Sequence, residues 1–218
     1  MADDRSRAGV QFYADDKILA FVERTHVRES SALAQAFSAP QRNGMPPIMV
    51  GKSEGRLLGL LLKLVNARKV VEIGTLAAYS SIAMAQSLPA DGHLWSIEFD
   101  PKHATVAREN VAAAKLTQVV SVHVGGARDV LLTLEKEGPF DAVFIDADKA
   151  SYDHYGRWAA KHLRRGGLLL GDNAFLFGRL LEHSDEAIAM RRFHEEAAKA
   201  FDTVCIPTPD GLLLGIKR

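Results

Sequence analysis

Apolar runs alternate with segments of helical periodicity along most of the chain, and this alternation predicts the fold. The first apolar run is KVVEIG at 69–74, and the last helical segment is SDEAIAMRRFHEEAAKAF at 184–201. Strand-helix-strand units in succession form parallel sheets with helices on both faces. Two further runs, TVCIPT and LLLGIKR, flank the turn residues Pro209-Asp210-Gly211. We therefore predict an α/β fold with a doubly wound, mostly parallel, seven-stranded sheet and a C-terminal antiparallel hairpin.

The first part of the chain is predicted to be helical and to pack on the same domain. Residues 14–38 have helical periodicity, which SAPQRNGMPP at 38–47 interrupts with several prolines and a glycine. Another helix is predicted in SEGRLLGLLLKLV at 53–65, with Ser53 as its N-cap. We expect an N-terminal helical segment and loop at 1–46 and one main domain at 47–218.

Composition and charge indicate a small-molecule partner. Lys+Arg and Asp+Glu number 27 each, so no net charge attracts the chain to nucleic acid or to an anionic membrane. The start MADDRSRAG has no apolar run of signal-peptide length, and the apolar stretch LLGLLLKLV is interrupted by Lys63. We expect a soluble, cytoplasmic protein. Cys205 is the single cysteine, which excludes an intrachain disulfide and a CxxC metal site.

Polar residues follow the predicted strands, at the edge where ligands bind in sheets of this class. In chain order, the residues at these strand ends are Glu72, Gly74, Thr75, Glu98, Gly125, Gly126, Ala127, Asp146, Asp148, Lys149, Asp172 and Asn173. Because the carboxyl ends of parallel strands lie on one side of the sheet, we expect these residues to meet there.

Glu98 at the end of the second strand has two interpretations. Its carboxylate oxygens could each accept a hydrogen bond from one of two vicinal ribose hydroxyls. Alternatively, it is a solvated strand end or the cap of a helix beginning at Pro101. The segment EIGTLAAYS has one glycine where the dinucleotide fingerprint GxGxxG needs three, which disfavours a nicotinamide cofactor. A nicotinamide-dependent oxidoreductase and a non-catalytic cofactor-binding module remain alternatives.

Asp146, Asp172 and Asn173 offer oxygen ligands from two neighbouring strand ends. Such ligands suit a hard divalent cation, with Mg²⁺ expected and Mn²⁺ or Ca²⁺ possible. The alternative is that the acids, with Asp148, only cap the following helices. Near a cation, the ammonium of Lys149 would be disfavoured by like charge and could act as a base, although it could also be a surface charge.

Several segments resemble the cation-dependent O-methyltransferases, the group that contains catechol and caffeoyl-CoA O-methyltransferases. The resemblance runs from about Pro47 to the C-terminus, and it is carried by VVEIGTLAAYSSIAMA, SIEFDPKHATVARENV, FDAVFIDADKASYDHY, GGLLLGDN and PTPDG. It implies a Rossmann-like methyltransferase domain, an S-adenosylmethionine cofactor, a catechol-like aromatic acceptor with vicinal hydroxyls, and a homodimer.

The resemblance also implies roles for individual residues. S-adenosylmethionine would contact Val50, Glu72, Gly74, Thr75 and Ser80 with its methionine moiety, Glu98 with its ribose, Ala127 with its adenine, and Asp146, Asp148 and Tyr155 elsewhere. The cation would be held by Asp146, Asp172 and Asn173. Lys149 would be the catalytic base beside Asp146, and Lys149, Asn173 and Asp210 would border the acceptor.

Two positions depart from the pattern of the family. The family usually has glycine where this chain has Ala78, and an alanine there is strained if φ is positive. His194 stands where many relatives have asparagine near the substrate. These departures affect the cofactor loop and the choice of acceptor, respectively.

Overall fold

Seven strands form one sheet in the computed structural model, which describes residues 16–218. They are β1 (Lys69–Ile73), β2 (His93–Glu98), β3 (Val120–Val124), β4 (Phe140–Ile145), β5 (Leu163–Gly171), β6 (Phe201–Ile206) and β7 (Leu212–Lys217). The order across the sheet is β3-β2-β1-β4-β5-β7-β6. The pairs β5–β7 and β6–β7 are antiparallel, and the others are parallel. The predicted doubly wound sheet and its C-terminal antiparallel hairpin are confirmed.

Helices cover both faces of the sheet. They are α1 (Asp16–His26), α2 (Ser31–Arg42), α3 (Lys52–Leu64), α4 (Tyr79–Ala85), α5 (Pro101–Ala113), α6 (Ala127–Leu134), α7 (Tyr152–His162) and α8 (Asp185–Ala200). One apolar cluster joins α2 to α5 with Ala142 and Phe144 of β4, and another joins α6 to α8 with Val143 and Ile145. β4 is therefore buried on both faces, which explains its continuous apolar sequence. Within residues 16–218 no helix is long and apolar enough to cross a bilayer.

The predicted helix boundaries before β1 were partly wrong. The predicted helix is divided into α1 and α2 by the non-helical residues 27–30, and Ser30 caps α2 by accepting the N–H of Leu33 at 3.2 Å. Residues 14 and 15 of the predicted helix lie outside the described residues. Pro40 does not break α2, since the helix ends two residues later at Arg42 and loses little by one missing N–H. The N-cap of α3 is Gly51 and not Ser53.

Phe193 of α8 packs directly on the backbone of two neighbouring elements. A Cβ atom on Gly156 of α7 would lie 2.6 Å from its ring, and one on Gly171 of β5 would lie 2.8 Å from it. The Phe193 ring also contacts Tyr152 edge-on, with the ring centroids 5.4 Å apart. The two glycines therefore let α8 approach α7 and β5 closely, and Phe193 fills the space that their missing side chains leave.

Gly156→Ala is expected to destabilise the protein, although this change inside a helix usually stabilises it by roughly 1 kcal/mol. The added methyl group would overlap the Phe193 ring and lower the free energy of unfolding by about 1–3 kcal/mol, as overpacking does in other cores. Urea denaturation of the single variant, and of the same change in a Phe193→Leu background, measures this. The loss should shrink in that background, and a single variant as stable as the parent would contradict the packing argument.

Candidate active site

The carboxyl ends of the parallel strands open onto a cavity of about 950 Å³. It lies at the switch point between β1 and β4, where the direction of strand succession reverses. The predicted site residues that line it are Val50, Gly74, Thr75, Ser80, Glu98, Ala127, Asp146, Asp148, Lys149, Tyr155 and Asn173. The predicted site residues outside the lining are Glu72, Asp172 and Asp210. The strand ends thus meet at this cavity as expected, although the side chains of Glu72, Asp172 and Asp210 do not line it.

Gly74 allows the ends of β1 and β4 to touch. Its φ is 99°, and a Cβ atom there would lie 1.9 Å from the carbonyl oxygen of Asp146. The N–H of Asp146 donates to the carbonyl of Ile73 at 2.8 Å, which holds the two strand ends together. Any side chain at position 74 would force these strand ends apart.

The turn after Gly74 is strained at a residue that is not glycine. Ala78 is fully buried with φ 65° and ψ 27°, so the condition for strain at this position is met. A left-handed alanine costs roughly 1–2 kcal/mol relative to the right-handed conformation. Leu76 also has a positive φ, of 50°. The turn is held from outside, because Asn110 donates to the carbonyl of Ala77 at 3.0 Å.

Glu98 fixes the other side of this turn. It is nearly buried and accepts the backbone N–H groups of Leu76 at 2.8 Å and Asp100 at 2.9 Å. The proposed capping role is wrong, since Asp100 caps α5 by accepting the N–H of Lys102 at 2.7 Å. His103 lies on the cavity side, with its Nδ1 atom 3.6 Å from Glu98. Glu98 is therefore a positioned carboxylate at the cavity wall.

Glu72 lies behind the cavity in a buried hydroxyl network. Its carboxylate accepts hydrogen bonds from Ser80, Ser81 and Ser96, the last at 2.6 Å. Burial raises the pKa of Glu72 to about 7, although the three hydroxyl donors oppose this shift. Because Ser80 lines the cavity and Glu72 does not, Glu72 contacts the site through Ser80.

Lys149 is held by a carboxylate and a phenol. Its Nζ atom donates to Asp146 at 3.1 Å and to the hydroxyl of Tyr152 at 2.8 Å. Tyr152 is fully buried, and its hydroxyl lies 2.9 Å from the carbonyl oxygen of Asp172 and 3.1 Å from that of Ile145. Burial raises the pKa of Tyr152 well above its ordinary value, so the phenol keeps its proton.

Asp146, Asp172 and Asn173 place two carboxylates and an amide at the ends of β4 and β5. Burial, and then the charge of Asp146, raise the pKa of Asp172 to about 7. Two mutually repelling carboxylates and a neighbouring amide are the donors that Mg²⁺ prefers. Residues 16–218 contain no group of three or more His, Cys, Asp and Glu side chains arranged to hold a metal. The predicted ligands are not such a group, because the third of them, Asn173, is an asparagine.

The acids at these strand ends do not cap the following helices. The side chain of Asp148 accepts the hydroxyl of Tyr155 at 2.6 Å and makes no cap hydrogen bond. The N-cap of α8 is Ser184, which accepts the N–H of Ala187 at 3.3 Å, and not Asp172. The capping interpretation of these aspartates is therefore wrong.

Asp210 contacts a loop that borders the cavity. Its Oδ1 atom accepts the N–H of Phe177 at 2.8 Å, and its carbonyl accepts the N–H of Phe175 at 2.9 Å. Phe177 lines the cavity with φ 53°. His194 contacts the same loop, since its Nε2 atom lies 2.8 Å from the carbonyl of Ala174. Neither Asp210 nor His194 lines the cavity itself.

Further cavity residues were not singled out from the sequence. They include Ile48, Tyr79, Phe99, His103, Arg128 and Phe177. Phe99 directly follows the strand-end residue Glu98 and could have been found by its position. The others come from helices and loops whose approach to the cavity depends on packing.

Glu72 should make stability depend on pH in a defined direction. Its pKa is raised from 4.5 to about 7 in the folded protein, so between these pH values the folded state holds a proton that the unfolded chain releases. The free energy of unfolding should therefore fall as the pH rises through this window. Asp172 contributes in the same direction.

Urea denaturation across this pH range should show a smaller decline for Glu72→Gln than for the parent. The matched control is Glu109→Gln, which removes an exposed acid from α5. Its free energy of unfolding should decline with pH as much as that of the parent. Parallel profiles for Glu72→Gln and the parent would show that Glu72 is not protonated in the folded protein.

Comparisons with known proteins give the family. Residues 23–218 match the O-methyltransferase family. A catechol O-methyltransferase of Niastella koreensis is 43% identical over 171 residues, which cover 76% of this chain and 77% of that protein. A catechol O-methyltransferase of Mycobacterium tuberculosis is 42% identical over 175 residues, covering 79% of each.

The fold agrees with that of solved O-methyltransferases. The crystal structure of TomG from Streptomyces achromogenes, in complex with S-adenosylmethionine, matches with a TM-score of 0.88 at 35% identity. The match covers 92% of this chain and 96% of TomG. It confirms the predicted Rossmann-like methyltransferase fold. The chain therefore belongs to the O-methyltransferase family.

Proposed function

We propose that the chain transfers the methyl group of S-adenosylmethionine to one hydroxyl of an aromatic acceptor with two vicinal hydroxyls, in the presence of a divalent cation. The observation that carries this proposal is that Glu98 and the group Asp146, Lys149 and Asn173 line one cavity. A nucleoside-binding acid and a lysine beside hard oxygen ligands are what such a transfer needs. The catechol O-methyltransferases at 43% and 42% identity support the acceptor class.

Glu98 would bind the ribose of S-adenosylmethionine. Its carboxylate is already oriented by the N–H groups of Thr75 and Leu76 at Oε2 and of Asp100 at Oε1, so Oε1 retains a lone pair for a ribose hydroxyl. Around the rest of the cofactor we propose Val50, Gly74, Thr75 and Ser80 for the methionine moiety, Ala127 for the adenine, and Asp146, Asp148 and Tyr155 along its length. Glu72 would act through Ser80, since it does not reach the cavity.

Asp146, Asp172 and Asn173 would hold the cation, with Mg²⁺ favoured by their oxygen donors. When bound, it would lower the pKa of an acceptor hydroxyl by stabilising the oxyanion. Asp172 contributes a carboxylate that burial and Asp146 make costly to ionise. A bound cation would offset this cost of ionising Asp172. The loop held by Asp210 would border the acceptor through Phe177.

Lys149 would accept the proton of the acceptor hydroxyl. The oxygen then forms a bond to the methyl carbon while the sulfur–methyl bond breaks, and S-adenosylhomocysteine leaves with the electron pair. The chain supplies position, because Lys149 lines the cavity and is fixed at its Nζ atom by Asp146 and Tyr152. Holding the reacting groups in one orientation provides much of the acceleration in such transfers.

Incubation with S-adenosylmethionine, Mg²⁺ and a panel of catechols should yield singly methylated products, detected by mass spectrometry. Excess EDTA should abolish the product and added Mg²⁺ should restore it, because the oxygen donors favour a hard cation. Asp172→Ala should lose activity, whereas Asp202→Ala, at an acid whose side chain is 75% exposed, should keep it. Full activity in EDTA would overturn the cation assignment, and the absence of product with every catechol would overturn the acceptor class.

Lys149→Ala should lower kcat by about 10²–10⁴, the range for loss of a general base. Calorimetry should show unchanged S-adenosylmethionine affinity, because Lys149 is proposed to contact the acceptor and not this cofactor. Lys149→Arg should not restore the rate, since a guanidinium stays protonated. Lys161→Ala, at a lysine whose side chain is 70% exposed on α7, is the control. If Lys149→Ala kept the kcat of the parent, Lys149 would not be the base but only a charged residue at the strand end.

A further inference from the structure

The buried hydroxyl of Tyr152 joins three parts of the candidate site. It lies 2.8 Å from Nζ of Lys149, 2.9 Å from the carbonyl oxygen of Asp172 and 3.1 Å from that of Ile145. The side chain is wholly enclosed, at 0% exposure. One phenol thus connects the proposed base to the ends of β4 and β5.

The chemistry of these partners fixes the direction of each hydrogen bond. A carbonyl oxygen can only accept, so the single phenolic proton must point to Asp172 or Ile145. The lone pairs of the phenol are then the part that faces Lys149. Lys149 has to donate, and it cannot exchange roles with Tyr152.

The hydrogen bonds to Asp146 and Tyr152 leave one direction at Nζ of Lys149 for a further contact. As a base Lys149 is a neutral amine, with two N–H groups directed to Asp146 and Tyr152 and one lone pair. The lone pair is left for the proton of a group in the cavity, which Lys149 lines with a side chain that is 12% exposed. Two anchors on a flexible four-carbon chain restrict it far more than Asp146 alone would.

The phenol itself has little freedom to move. The Phe193 ring meets the Tyr152 ring edge-on at 5.4 Å and is in turn packed against the backbones of Gly156 and Gly171. Tyr152 is also outside the proposed set of cation ligands. Its contact with Lys149 therefore does not compete with the role proposed for Asp146.

We propose that Tyr152 is a positioning residue for Lys149, which orients the amine toward the acceptor through its phenolic oxygen. The inference rests on the proposed function, in which Lys149 is the base. It predicts that the Tyr152 hydroxyl matters to catalysis only while Lys149 is present, whereas a hydroxyl that merely stabilises the fold would matter equally without it.

The test is a double-mutant cycle with Tyr152→Phe and Lys149→Ala, assayed with S-adenosylmethionine, Mg²⁺ and a catechol that the parent methylates. Tyr152→Phe keeps the ring and its packing. It should lower kcat about 10- to 100-fold, as misplacement of a catalytic group does. In the Lys149→Ala background, the same change should alter kcat by about twofold or less, because contacting residues are not additive.

Two measurements separate positioning from stability. Calorimetry should show unchanged S-adenosylmethionine affinity for Tyr152→Phe, and the shift in thermal midpoint should be similar in both backgrounds. Tyr155→Phe is the matched control, since it removes a phenolic hydroxyl from the same helix that contacts Asp148 and not Lys149. Its effect on kcat should be the same with and without Lys149.

Each outcome decides the matter. A parent enzyme that methylates no catechol overturns the proposed function, which this inference needs. An active parent in which Tyr152→Phe lowers kcat equally in both backgrounds, or not at all, overturns only the role of Tyr152. Coupling of Tyr155 to Lys149 of the same size would also overturn it, since the effect would then not be specific to the Tyr152 contact.

Discussion

The close approach of Gly74 to the carbonyl oxygen of Asp146 is the constraint on which the rest of the site depends. A Cβ atom would lie 1.9 Å from that oxygen, so the ends of β1 and β4 meet only because position 74 has no side chain. On one side of this contact the chain turns toward Glu98, and on the other it continues to Asp148 and Lys149. The part of the cavity near Glu98 and the part near Lys149 are thus adjacent because of one backbone contact.

Strain in the turn after Gly74 is balanced by contacts from other elements. Leu76 and Ala78 have positive φ values, yet the N–H of Leu76 is bound by Glu98 and the carbonyl of Ala77 by Asn110. A conformation that its own residues disfavour persists when its surroundings over-determine it. The same contacts hold the Glu98 carboxylate in one orientation at the cavity wall.

The parts of the structure that follow from local pattern were predictable, and those that follow from packing were not. Apolar runs such as Ala142–Ile145 indicated buried strands, and strand-end positions located most of the cavity lining. The sequence did not reveal that Glu72 lies behind Ser80 or that Asp210 contacts the cavity residue Phe177 instead of lining the cavity. The position of a residue after a strand does not show whether its side chain faces the cavity or the core. Tyr152 was missed because its partners include two backbone carbonyls, which carry no signature in the sequence.

The hydrogen bonds between the hairpin turn and the loop at 174–178 have a consequence for protein engineering. Ala174 donates to the carbonyl of Gly211, Phe175 to that of Asp210, and Phe177 to the Asp210 carboxylate. A Cβ atom on Gly211 would also lie 2.8 Å from the Phe175 ring. The two segments are distant in the chain, but the conformation of each depends on contacts with the other. A chimera that takes the loop from a relative must therefore take the matching hairpin turn as well. Otherwise the grafted loop will lose the hydrogen bonds that fix its conformation.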